Sequence, residues 1–223
     1  MMRYVGGALV WACVFAGPSL AATIEFDTNN SNPLAHGSFL PDGLFDFGNG
    51  LTGTITTTGG VGSAQIYDTG FIGGRDPDLE QPTLVGNSSV TYDGGNALIV
   101  AENNSSNPDD ADDAVGGSIE FVFDSLVRFS GITLIDGEDN QRITVSGDSG
   151  DILSAVAQGD DEFLAYTFAP VVTRSIKVDF AGSGAFDRLK VEVVPLPAAA
   201  WMLLAGIGGL AAAGRRKKLQ SRS

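Results

Sequence analysis

The sequence predicts an all-β protein: a jelly-roll-like antiparallel β-sandwich with an N-terminal signal peptide and one C-terminal transmembrane helix. Three observations predict it. Short runs of β-branched and aromatic residues alternate with clusters of Gly, Asn, Asp and Ser, the signature of strands joined by turns. Helical periodicity is scarce between residues 23 and 193. Charge-free apolar stretches lie at both ends, each with basic residues on one side.

The N-terminal element comes first. Met1-Met2-Arg3 places a positive charge ahead of the apolar run 5–16, and Gly17-Pro18 breaks a helix before Ser19-Leu20-Ala21-Ala22. A charge, a short apolar core and small residues at a cut site make residues 1–22 a secretory signal peptide, cleaved after Ala21 or Ala22. It would engage the Sec translocon and signal peptidase. The run is shorter than the roughly 20 residues a membrane span needs. Val10-Trp11-Ala12-Cys13 is similar to a lipoprotein processing box, but bulky Trp11 and the apolar residues beyond Cys13 argue against lipidation. Cys13 is the only cysteine, so removal of the signal leaves neither disulfides nor thiolate chemistry.

Residues 23–193 are one domain by length. Strands are expected at 23–26, 52–58, 63–67, 97–101, 118–123, 127–135, 142–146, 152–157, 164–168, 175–180 and 189–193. Alternation is clearest where Ile119, Phe121 and Phe123 share one face, and again at Ile176, Val178 and Phe180. Ten or eleven strands joined by turns predict two packed antiparallel sheets. No internal repeat points to a solenoid.

The C-terminal element begins at Val194-Pro195-Leu196-Pro197-Ala198. No charge interrupts 193–214, and Arg215-Arg216-Lys217-Lys218 closes the stretch. A helix over 198–214 would be about 25 Å long, at the short end of a span, with Pro197 tolerated at its first turn. The basic cluster stays cytoplasmic, so the body lies outside.

Proline motif, helix and basic tail together resemble the C-terminal sorting signals handled by exosortases. Val194-Pro195-Leu196-Pro197-Ala198 is similar to the VPLPA variant of the PEP-CTERM family, with Leu196 where the commonest version has Glu. The resemblance covers residues 194–223. It implies a Gram-negative bacterium and an inner-membrane-anchored precursor. An exosortase-type membrane protease would cut that precursor, and the product would pass to the cell surface or extracellular matrix.

Charge bounds the partners. Of 13 basic residues only seven lie in 23–194, together with all 27 acidic ones, a net of −20. That balance excludes a nucleic-acid partner, whose phosphates need positive groups. It suits solubility or divalent-cation capture.

Catalytic constellations are sparse. His36 is the only histidine, too few for a histidine zinc site. Gly147-Asp148-Ser149-Gly150 is similar to a serine-protease nucleophile sequence, yet it sits between two expected strands and reads as a turn. Paired carboxylates for glycoside hydrolysis must lie about 5–10 Å apart in a cleft, a separation that acidic loops supply by accident. No enzymatic activity is expected.

Structural calcium is the use this chemistry suits best, because the ion wants six to eight oxygens. The candidate ligands are Asp68, Asp76, Asp78, Glu102 and Asp136. Asp76 and Asp78 stand two apart in the acidic loop 70–80, while Glu102 and Asp136 each follow a strand. Asp-x-Asp-Leu, a strand ending in Glu and an Asp-rich loop ending in Gly-Gly together resemble a β-sandwich domain of secreted and exosortase-sorted bacterial proteins. The match covers 65–136. Ala185-Phe186-Asp187-Arg188-Leu189 is similar to the end of such domains, with Phe186 and Arg188 where Ile and Asn are common. The expected function is a surface or extracellular-matrix component without catalysis. The alternative is a carbohydrate-binding module acting on exopolysaccharide.

Overall fold

The computed structural model describes residues 21–29, 32–48, 50–80, 85–86, 94–109, 116–137, 142–156 and 162–194, and Leu20–Val194 form one compact unit. The signal peptide up to residue 20, and the sorting segment from Pro195 through Ala198, Arg215, Arg216, Lys217 and Lys218, lie outside the described residues. Among the described residues no helix is long and apolar enough to cross a membrane.

The body is nearly all β. In chain order the strands are β1 Ala21–Ile24, β2 Thr28–Asn29, β3 Asn32–Pro33, β4 Phe39–Leu40, β5 Gly43–Asp46, β6 Thr52–Gly59 and β7 Ala64–Asp68. After a short 3-10 turn at Pro77–Leu79 come β8 Val85–Gly86, β9 Asn96–Val100, β10 Gly117–Ile135, β11 Ile143–Gly147, β12 Gly150–Val156, β13 Glu162–Phe180 and β14 Ala185–Val193.

The long strands β10 and β13 pair antiparallel and carry the main sheet, while β2 and β3 form a separate two-stranded sheet. Around their first shared stretch, β6 pairs with 117–123 of β10 and β5 pairs with β6, while β11 joins 176–180 of β13 and β12 joins β11. Around the second stretch, β14 pairs with 127–135 of β10. Its other edge takes both β1 and β9, and β7 and β4 follow β9. All these pairings are antiparallel; β8 adds parallel to the start of β13. The result is two ladders sharing one bent strand pair.

That bend corrects the expected strand list. The runs 118–123 and 127–135 are one strand, as are 164–168 and 175–180. Register shifts between Val122 and Val127, and Asp124, Ser125 and Leu126 are all exposed. Extra residues break the in-out alternation without breaking the strand, and they turn it from one ladder into the other. The two-residue strands β2, β3, β4 and β8 are too short to leave a periodic pattern.

The inner faces of the ladders meet in a sandwich-like core. Phe121 of the first ladder meets Phe186 of the second edge-on at 5.9 Å, and Phe26 lies 5.6 Å from Phe186. Ile66, Leu98 and Leu134 point into this core, while their neighbours Tyr67, Ala97, Ile99 and Ile135 point the other way into a second cluster with Leu79, Phe163 and Ala185. The second ladder is therefore buried on both faces where β7, β9, β14 and the end of β10 lie side by side. This explains the unbroken apolar run Ala97-Leu98-Ile99-Val100, which no half-exposed strand would need.

Candidate functional site

The outer cluster is roofed by the loop that follows β7. Leu79 anchors it, fully buried among Tyr67, Ala97, Ile99 and Ile135. Asp76 caps the 3-10 turn, its Oδ1 accepting from the Asp78 N–H at 3.2 Å, and Pro77 fills the first helical position, where no N–H is needed. The Tyr67 hydroxyl donates to the Asp76 carbonyl. Gly74 passes so close that a Cβ there would stand 2.5 Å from the Tyr67 hydroxyl. Glu80 closes the loop by accepting from the Gly73 and Gly74 N–H groups at 2.8 and 2.5 Å.

This roof brings Asp76 and Asp78 to Asp136, the residue that follows β10. One carboxylate oxygen from each lies within 4.8 Å of the others. Asp76 is 8% exposed and Asp136 1%. Asp136 is held with a left-handed backbone (φ 49°) by its N–H donating to the Glu162 carbonyl at 2.8 Å, and its Oδ2 accepts from the Ser183 hydroxyl at 3.0 Å. Two oxygens on opposite sides of one Ca²⁺ stand about 4.8 Å apart, since each bond is about 2.4 Å. The spacing and the all-oxygen donor set therefore fit a hard cation such as Ca²⁺ and not the imidazole or thiolate preference of zinc or copper.

Asp68 and Glu102 stand outside this group. The Asp68 Oδ1 accepts from the Gly70 N–H at 2.9 Å, an Asx turn at the end of β7. The Glu102 N–H donates to the Asp109 carbonyl at 3.0 Å and closes its own loop. An ion pair of 3.1 Å between Arg75 and Asp109 ties that loop to the roof. Ser183, which steadies Asp136, had no signal in the sequence beyond being a turn residue.

His36 is a packing residue. Its ring stacks on Phe71 at 4.2 Å and meets Tyr67 edge-on at 5.1 Å, and its Nδ1 accepts from the Asp68 N–H at 3.2 Å. Burial lowers its pKa, with Asn107, Asp68 and Glu80 pulling the other way. The expected turn at Asp148-Ser149 joins β11 to β12. The Asp148 carboxylate accepts from the Ser175 hydroxyl at 2.7 Å and from the Arg174 and Ser175 N–H groups at 2.6 and 3.0 Å. The Ser175 hydroxyl foremost, then the Arg174 N–H, hold its pKa below the usual carboxylate value. Asp148 thus pins a turn, and Ser149 beside it is exposed.

A third feature is the end of β14. Ala21 opposes Glu192 and Ala22 opposes Val191, so the first strand lies against the last. The Val194 N–H donates to the Leu126 carbonyl at 2.9 Å, on the bend of β10. The chain leaves the described body there, one residue before Pro195.

No curated protein and no solved structure matches the chain. Residues 193–218 match the model of the PEP-CTERM protein-sorting motif, which implies an exported, membrane-anchored precursor processed by an exosortase.

Proposed function

We propose that the chain is a display protein. Its body, a jelly-roll-like sandwich, is exported after signal-peptide removal and held at the inner membrane by a helix over 198–214. It is released by cleavage within 194–198 to the surface or extracellular matrix of a Gram-negative cell, where it acts without catalysis. The observation that carries this reading is the position of the sorting motif: it starts at residue 193, where β14 ends. Fractionation of an internally tagged protein tests it. With the host exosortase present, a shorter form leaves the membrane fraction; without the enzyme, the full-length form stays. The same band in both strains would reduce the segment to an ordinary anchor.

We further propose that Asp76, Asp78 and Asp136 hold a structural Ca²⁺. The support is the geometry: one carboxylate oxygen from each lies within 4.8 Å of the others, the spacing of oxygens around a hard cation. The ion would clamp the roof loop to the end of β10 and leave the sandwich core unchanged.

A second reading, glycan binding, is favoured by one cleft of about 570 Å³ lined by Asn29, Asn32, Asp46, Thr52 and Asp124 beside the exposed Leu44. Amides, hydroxyls and carboxylates around an apolar side chain are the groups that grip a polyol. An exopolysaccharide partner would be detected on a glycan array; loss of signal in Asn32→Ala with Asp124→Ala would place it in this cleft.

A further inference from the structure

The sorting segment has no spacer. β14 is hydrogen-bonded through Val193, opposite Val127, and the next residue is still tied to Leu126. From Val194 to Ala198 the chain is four residues long, at most about 14 Å when extended. Any protease that cuts there while the body is folded must work within that distance of the exit end.

The register defines what it meets. Residues paired across antiparallel strands point to the same face, and Glu192, Arg128 and Val172 form one row across β14, β10 and β13. Val127 and Thr173 in the neighbouring row are buried, so the residues flanking them, Leu126 and Arg174, return to the outer face; both are exposed. The patch at the exit therefore carries Leu126 at 41% and Val172 at 50% exposure, two of the few large apolar side chains exposed among the described residues. Arg128 and Arg174 flank them, and Arg128 reaches Glu192 at 3.7 Å. Asp148 stands beside Arg174, accepting from its N–H at 2.6 Å. Neither apolar residue contributes to the sandwich core.

We propose that this patch, centred on Leu126 and Val172, is the docking surface for the membrane protease that cuts the sorting segment. The inference rests on the sorting reading above. The mixed charge around the patch argues against anionic lipid as the occupant, and the length of the tether brings the protease to it.

Two changes test it together in the full-length chain expressed in its host. Leu126→Asp with Val172→Asp should slow conversion of precursor to product by about tenfold, a factor equal to about 1.4 kcal/mol of lost contact. Inserting a ten-residue Gly-Ser linker between Val193 and Val194 frees the segment from the body, and the same double substitution should then have no effect. Equal conversion with and without the substitution in the unlinked chain would overturn the proposal. So would equal slowing in the linked chain, because that reports impaired export or folding. An original chain that is never cut would overturn the sorting reading, and this proposal with it.

Discussion

The second ladder has two unlike ends. At one, Glu192, Arg128 and Val172 line up across three strands and the chain departs. At the other, Ile135, Phe163 and Ala185 give way to the loop carboxylates of Asp76, Asp78 and Asp136. Eight residues of strand, about 27 Å, separate them. The exit end is built from backbone pairing, with a mixed side-chain face. The carboxylate end is built from loops that bond one another's polar groups and roof a small apolar cluster. Attachment and polar chemistry are kept apart on one set of strands. Pull on the tether therefore loads ladder hydrogen bonds, while a change in the carboxylates acts on the roof.

Removing what the two ends share should have the largest effect. Phe186 touches Phe26, Phe121 and Phe180, so Phe186→Ala should cost about 3–5 kcal/mol in urea unfolding. A loss below about 1 kcal/mol would mean that the ladders do not share one core. Next comes the carboxylate end alone. Calcium at a hundred times its dissociation constant should add about 2.7 kcal/mol, read as a raised melting temperature that a chelator reverses. Asp76→Ala with Asp78→Ala should abolish the response; a melting curve indifferent to calcium would retire the metal.

A smaller effect is expected from His36. The unfolded imidazole takes its proton at higher pH than the folded one, so stability should fall as pH drops below about 6.5 and level off below the folded value. His36→Phe keeps the stack on Phe71 but cannot titrate, and it should flatten that part of the profile. Asp148 should matter least, because it is exposed and solvent-screened. Its lowered pKa means that its contribution is present above about pH 4 and lost as pH falls through the folded value. Asp148→Asn should remove a small acid-limb slope in melting temperature and leave the neutral-pH value nearly unchanged.

The strands were legible wherever alternation survived. Ile119, Phe121 and Phe123 share a face as expected, and so do Ile176, Val178 and Phe180. Alternation failed at Asp124-Ser125-Leu126, where a bulge keeps the strand intact while shifting its register, and one long strand read as two. The site was legible in part for a similar reason. Asp76 and Asp78 stand two apart, and Asp136 ends a strand, all local signals. Asp68 and Glu102 carry the same local signals, yet Asp68 is taken up by an Asx turn where the roof loop begins, and Glu102 closes a different loop onto Asp109. What brings Asp136 to Asp76 is long-range pairing of β10 with β13 and the seating of Leu79 on the outer cluster, neither of which any short window of sequence contains.

On the proposed export route, the pairing of Thr23 with Lys190 and of Ile24 with Leu189, the part of β1 that outlasts signal removal, also sets a timetable. A polypeptide threaded through a translocon from its amino end must wait about 165 residues before the partner of its opening strand arrives. Until then the edge of that opening strand is open to wrong partners, since an unpaired strand edge invites aggregation. Closure comes only when the last segment before the bilayer has emerged. On the export route proposed above, finishing the crossing and finishing the fold are nearly the same event.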